Sequence, residues 1–506
     1  MPSIDEIVGA LQKIFGERAK ALANEQGVNK RSSKITGTIL ALVLVTGFMS
    51  QPGASLNQLS QIAQQFGVNV TRSGLSQRLT SVTVEFLRLL FEEALQVWQQ
   101  REGLWLELFE PFRGVYLIDS THIGLANKLA DSQPASGGQA GKAGMKLQIT
   151  YDYLQQQVEV VTAQAALEPD QSFEDKLEKL PEGSLVLFDL GYCTLERLKR
   201  LMAAHYFVSR LPPKVHLYEQ GSNQPLALGS ELRRRGGTCA GTVIELRVEV
   251  GQKERLKLRV VAQVLPQEAY LQRLAQAKKV SQLKGRELSA ATAERLRWNL
   301  YLTNVHESLL SGYQVGIVYH LRWQIELLFK LWKSGLGLAQ SGNKKLSRVW
   351  CEIYARLIGY TLLIYLSWGV AGSEEMGEAE ETNLVEALVG SSGGESNRQW
   401  QETDKAKLGR AKPLILQALI KTTRELSLTK ALQTLGTEIV RLGKALLRGK
   451  DKKVKKLIKK LRKRWGRYSL KEKRADRLTS YQQISQIQLS TRELHAPDLT
   501  LICKVA

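Results

Sequence analysis

A chain of 506 residues is too long for one ordinary core, and its 43% hydrophobic content is that of a folded protein. The net charge of +22 points to a polyanionic partner, with nucleic acid ahead of an anionic membrane. Four cysteines (Cys193, Cys239, Cys351 and Cys503) lie far apart with no CxxC pair, so the sequence supports neither a zinc motif nor a disulfide framework and fits a reducing cytosol.

The amino terminus lacks the basic-then-apolar build of a signal peptide. The apolar runs Ile35–Met49 and Leu357–Val370 are short for a bilayer and read as buried helices, so no membrane segment is expected. Residues 1–111 have a helical pattern throughout and form a candidate DNA-binding domain. Within them, residues 58–80 have the build of a helix-turn-helix. Ala63 allows a close helix crossing, Gly67 suits the turn, and Leu75 and Leu79 anchor the second helix. Thr71, Arg72, Ser76, Gln77 and Arg78 are then left to meet DNA. An ordinary helical hairpin fits the same pattern.

From residue 112 the texture becomes α/β. Val115–Ile118 is an apolar run ending at Asp119, and Leu185–Phe188 is a second one ending at Asp189. Between them, Lys146–Tyr153 and Val158–Ala166 read as strands and Phe173–Leu180 as helix-like. A helix is expected from Thr194 to Ala204. The carboxyl ends of strands form the ligand edge of an α/β sheet, although either Asp alone also suits a turn or a helix N-cap. Residues 206–296 read as a β-rich insertion around a hairpin, Ile244–Val250 with Arg255–Val260, that interrupts the core rather than extending it. Trp298–Asn304 returns to a core strand, opening a second core segment, 297–370. Residues 371–412 are acidic and rich in Gly and Ser, a linker or exposed insertion. Residues 413–506 read as a helical region, intensely basic from Lys444 to Arg477. It suits an amphipathic helix on phosphates or a disordered basic tail.

The stretch Tyr319–Lys333 concentrates the chemistry. Read as one helix, it gathers Tyr319, Arg322, Glu326, Lys330 and Lys333 on one face and Leu321, Ile325, Leu328 and Trp332 on the other. A lone carboxylate among cations suits a metal ion beside a phosphodiester, and a surface helix with i,i+4 ion pairs fits as well. Asp119, Asp189 and Glu326 together supply three hard oxygen ligands, enough for magnesium ions that keep some of their waters.

The spacing Tyr319-x2-Arg322-x3-Glu326-x6-Lys333 resembles the signature of the insertion-sequence-four family of DDE transposases. Ile118-Asp119-Ser-Thr, Phe188-Asp189-Leu-Gly and the strand after Trp298 agree with it. The resemblance implies a multidomain α/β protein with an RNase H-like catalytic core, a β-strand insertion, and helical amino- and carboxy-terminal regions. It implies Asp119, Asp189 and Glu326 as catalytic ligands of two Mg²⁺, with Mn²⁺ as a substitute. Tyr319, Arg322, Lys333 and more weakly Lys330 would hold phosphates, and Trp298 would stack on a flipped base or lie in the core. The implied function is cut-and-paste transposition on the terminal inverted repeats and target DNA, by a homodimer on double-stranded DNA in the bacterial cytoplasm and nucleoid. An RNase H-like nuclease without strand transfer and a catalytically inactive DNA-binding descendant remain alternatives.

Overall fold

A mixed ten-stranded sheet runs through the middle of the chain, and helices from both ends of the sequence cover one of its faces. The computed structural model describes residues 3–29, 34–99, 106–137, 141–172, 176–236, 239–368, 370 and 426–469. The acidic segment 371–412 and the basic stretch beyond residue 469 lie outside the described residues.

The first helix, α1 (Ile4–Gln12), starts on a Ser3–Glu6 capping box and runs through a π-helical stretch into α2 (Ala19–Glu25). Next come α3 (Gly37–Ser50), α4 (Leu56–Gln65), α5 (Arg72–Arg78) and α6 (Ser81–Gln99). The α4–α5 pair has the expected turn, with Gly67 at φ +86° where a side chain would be strained. Ala63, Leu75 and Leu79 are buried beneath it. The apolar helix α3 is buried along most of its length, as its composition required.

The strands are β1 (Val115–Leu125), β2 (Gly144–Asp152), β3 (Gln157–Ala165), β4 (Leu185–Phe188) and β5 (Tyr206–Arg210). They lie in the order β3-β2-β1-β4-β5, antiparallel from β3 to β1 and parallel from β1 to β5. The helix α7 (Leu195–Ala204), capped by Thr194, connects β4 to β5. Only a 3₁₀ turn, Leu177–Lys179, forms within the described part of the expected helix at 173–180.

The insertion does not interrupt the sheet; it extends it. It contributes β6 (Leu217–Glu219), α8 (Leu228–Arg234), β7 (Val243–Val250), β8 (Leu256–Val264), α9 (Gln267–Leu283) and α10 (Ala290–Arg295) before β9 (Trp298–Thr303). β9 pairs antiparallel with β5 through Val208 and Thr303, and the β7–β8 hairpin adds to the far edge of β9. The open edge of β5 is thereby filled, which an apolar strand buried on both faces needs. The 17-residue helix α9 also makes the insertion mixed rather than purely β.

After β9 come α11 (Gly312–His320), α12 (Trp323–Lys330), a two-residue β10 (Gln340–Ser341) beside β1, and α13 (Leu346–Ser367). By length and composition α13 is apolar enough to cross a membrane, but 89% of its apolar window is buried inside the protein. Two further helices, α14 (Leu428–Leu447) and α15 (Asp451–Tyr468), close the bundle. One continuous core joins the amino-terminal helices, one sheet face and α11–α15, while a second fills the opposite face beneath α7 and the insertion.

Candidate active site

The last register pair between β1 and β4 is Ile118 with Phe188, and the next residue on each strand is an aspartate. Asp119 therefore does not end its strand, as the apolar run suggested, because β1 continues six residues further. What ends there is its β4 neighbour, so both aspartates lie at the carboxyl edge of the parallel strands, the edge where α/β sheets bind ligands. Side chains alternate along a strand. Ile118 and Phe188 face the second core, so Asp119 and Asp189 both point toward α11 and α12. The Asp189 side chain makes no capping hydrogen bond to the turn that follows it, so the N-cap alternative does not account for its carboxylate.

The third carboxylate arrives on a broken helix. The expected single helix over Tyr319–Lys333 is divided at Leu321 and Arg322, where the amides of Leu321 and Arg322 donate to Val318 and Tyr319 in a tight three-residue turn. Leu321, Ile325, Leu328 and Trp332 are buried in the main core as their spacing required. Tyr319 thus comes from the end of α11 and Glu326 from the first turn of α12.

The break leaves Arg322 between the acids. Its Nη1 donates to Asp119 Oδ2 at 2.8 Å and its Nη2 to Glu326 Oε1 at 2.7 Å. The Tyr319 hydroxyl donates to Asp189 Oδ1 at 3.2 Å. The Asp119 carboxyl is pushed up to about 6, chiefly by burial, and the negative charges of Asp189 and Glu326 add to this. The Ser120 amide and Arg322 act the other way. Burial opposes the Arg322 charge, but Tyr319, Glu326 and Asp119 hold its pKa above the ordinary value.

Tyr319 and Arg322, expected on phosphates, are both engaged by carboxylates here. Lys330 is exposed and Lys333 half-buried, and neither has a carboxylate partner among the described residues. Burial lowers the Lys333 pKa. Trp298 lies on the other side of the sheet from these carboxylates: it is 4% exposed, packed in the second core at the start of β9. The exposed aromatic near the site is Trp323, one turn before Glu326 and 55% exposed.

Sequence reasoning missed two cations. Arg210, at the end of β5, lies 5.9 Å from the Tyr319 ring centre. Arg273, from α9, donates to Asn299 at 2.9 Å, and burial together with the Arg210 charge lowers its pKa. The position of Arg210 after an apolar strand was a usable signal, but the path of α9 was not. Asp170 was missed as well; it receives Ser120, Lys146 and Gln148 at 3.2, 3.2 and 3.3 Å.

In the amino-terminal pair, Arg72 is exposed, whereas Arg78 is half-buried and donates to the Ile35 carbonyl at 3.3 Å. Ser76, expected to face DNA, bonds to Arg348 at the start of α13.

The family model described as the transposase DDE domain matches residues 110–362, half of the chain. The chain belongs to the DDE transposases, in the insertion-sequence-four group. A transposase for insertion sequence element IS231D of Bacillus thuringiensis subsp. finitimus is 29% identical over 67% of this chain and 75% of its own length. The transposase for IS231F of Bacillus thuringiensis subsp. israelensis is 27% identical over 71% and 79%, and that for IS1151 of Clostridium perfringens is 28% identical over 60% and 68%. The DDE domain carries an RNase H-like core, and the sheet with its strand-rich insertion and flanking helices has that architecture.

Membership in the family implies a divalent metal. Among the described residues no three acidic, histidine or cysteine side chains are gathered closely enough to hold an ion as they stand. The donor set nevertheless suits a hard cation: Asp119 is a carboxylate kept costly by burial, and a single guanidinium supplies the positive charge that it shares with Glu326.

Proposed function

We propose that this chain binds the terminal inverted repeats of an insertion sequence and catalyses metal-dependent DNA cleavage and strand transfer. The observation that carries the reading is the adjacency of Asp119 and Asp189 across β1 and β4, with Arg322 joining Asp119 to Glu326. Asp119, Asp189 and Glu326 would hold two Mg²⁺, with Mn²⁺ able to substitute. When bound, the ions polarise the phosphodiester and activate the attacking oxygen.

The protein's own groups divide the remaining work. Tyr319 keeps Asp189 oriented through its hydroxyl. Arg322 balances the carboxylates of Asp119 and Glu326, and with metal ions bound there it would be free to hold a phosphate. Lys330 and Lys333, which have no carboxylate partners among the described residues, take backbone phosphates, and Trp323 offers a face for an unstacked base. In cleavage, water oxygen forms a bond to phosphorus as the P–O3′ bond breaks, freeing a 3′ hydroxyl. In joining, that hydroxyl attacks a target phosphodiester and one strand is exchanged for another, bond for bond. Arg72, exposed at the start of α5, would contact the terminal repeat, and two chains would hold the two ends together.

The test is cleavage of a duplex carrying the element's terminal repeats in Mg²⁺, with wild type and Glu326→Gln. The variant should lose cutting by at least a thousandfold and keep its DNA affinity within about twofold. Undiminished cutting by Glu326→Gln would overturn the ligand assignment.

A further inference from the structure

The outer face of α15 takes no part in the proposed reaction. Ten of its 18 residues are Lys or Arg and one is Asp. Its apolar residues Val454, Ile458, Leu461 and Trp465 are fully buried. Trp465 Nε1 donates to the Ala431 carbonyl of α14 at 3.1 Å, and Arg462 donates to the Trp368 carbonyl after α13 at 2.6 Å. On α14, the buried carboxylate of Glu438 accepts Lys460 and pairs with Arg464, at 3.3 and 3.6 Å. Lys455 pairs with Asp5 of α1. The helix is therefore docked by its inner side and by a few flanking cations.

The remaining cations fall into one stripe. At about 100° per residue, Lys452, Lys453, Lys456, Lys459, Lys460, Lys463 and Arg467 lie within an arc of about 120°. All seven are exposed, and apart from Lys460 none has a carboxylate partner among the described residues. From Lys452 to Arg467 the stripe is about 22 Å long at 1.5 Å per residue. One DNA strand places about six phosphates along that length, at one per 3.4 Å.

We propose that this stripe is a second, sequence-independent binding site for the backbone of duplex DNA, separate from the Asp119, Asp189 and Glu326 carboxylates. The proposal rests on the reading of the chain as a DNA-handling transposase. Charge and burial together select the partner. A basic amphipathic helix on a membrane inserts its apolar face among the lipids. Here that face is occupied by α14 and the core beneath it, so only the charge is on offer. Unpaired like charges one turn apart repel one another in the free protein. A phosphate backbone relieves that repulsion and releases its own counterions. None of the seven cations hydrogen-bonds Asp119, Asp189 or Glu326, so the site needs neither metal nor catalysis.

The experiment uses the full chain in EDTA with a random-sequence duplex lacking any terminal repeat, and measures affinity by fluorescence anisotropy across a salt series. The fourfold variant K452Q/K456Q/K459Q/K463Q should bind at least tenfold more weakly at low salt. Its slope of log K against log salt should be shallower by about 3.6, at about 0.9 per phosphate contact. The single substitutions should each reduce the slope by about 0.9, so a folding failure of the fourfold variant leaves the test standing. The matched variant K278Q/K279Q/K284Q/R286Q, on and after α9, should retain the wild-type slope. Unchanged affinity and slope in the stripe variants would overturn the proposal. So would an equal loss in the α9 set, or wild-type binding to phosphatidylserine vesicles without binding to duplex. Because no cleavage is measured, a failure here is distinct from a failure of the proposed reaction, which Glu326→Gln tests.

Discussion

Arg322 and Asp119 meet at 2.8 Å, and the same guanidinium holds Glu326 four residues along the chain. A cation from a helix break thus stands between two acids that come from a strand and a helix. It makes the gathering of these acids electrically tolerable.

Removing that cation should expose the cost of gathering the acids. Arg322→Ala should lose about 1–3 kcal/mol of stability in EDTA, because the half-buried carboxylates are left without their counter-charge. Mg²⁺ should return most of the loss, giving the variant a larger metal-induced rise in Tm than wild type. A variant as stable as wild type in EDTA would show that Arg322 does not hold these acids.

The sign of the pH dependence follows from Asp119. Its folded pKa is raised to about 6 from an ordinary 3.8, so the folded state favours the protonated acid. The contribution is therefore fully present below about pH 4 and is lost as pH rises through 6, amounting to about 3 kcal/mol at 1.36 kcal/mol per unit. In EDTA, Asp119→Asn should gain stability relative to wild type between pH 4 and pH 7 in urea unfolding. A difference that is the same at both ends would contradict the burial argument.

The two tryptophans should separate folding from DNA handling. Trp298→Ala should cost about 3–5 kcal/mol, the range for emptying a buried aromatic site. Trp323→Ala should leave Tm nearly unchanged and weaken cutting of the terminal-repeat duplex by about tenfold or more, at 1–3 kcal/mol per stacked base. Thermal melts and single-turnover cleavage on the same preparations distinguish the two outcomes.

Arg72 and Arg78 should divide in a similar way. Arg72→Ala should weaken binding to the terminal repeat without a change in Tm. Arg78→Ala should lower stability by about 0.5–1.5 kcal/mol through loss of its bond to the Ile35 carbonyl. A gel-shift titration beside a melt reads both.

The chemistry-bearing residue types were legible in the chain because they follow apolar runs or sit at helical spacing. Leu321, Ile325, Leu328 and Trp332 went into the core on periodicity alone. Pairing was not legible. Asp119 gains its place from where β4 stops, and the sequence of β1 contains no sign of that. The helix break at Leu321 and Arg322 has neither Gly nor Pro to announce it; i→i+3 bonds from the amides of Leu321, Arg322, Gln324 and Ile325 make it. The extension of the sheet by the insertion depended on which edge of β5 lay open. Trp298 stands in the motif's expected position, yet it is the first residue of β9, and pairing with β8 carries it into the second core.

The close approach of α14 to α3 sets a timetable for folding. A Cβ on Gly436 would lie 2.8 Å from the Met49 carbonyl oxygen, so these two helices are fitted backbone to backbone. Roughly 390 residues separate their starting points, which at ~5–20 residues per second is ~20–80 s of synthesis. Throughout that interval the apolar surface of α3 that α14 will cover is open to water or to a chaperone. The amino-terminal helices can form early, but their packing is completed only by a helix made hundreds of residues later.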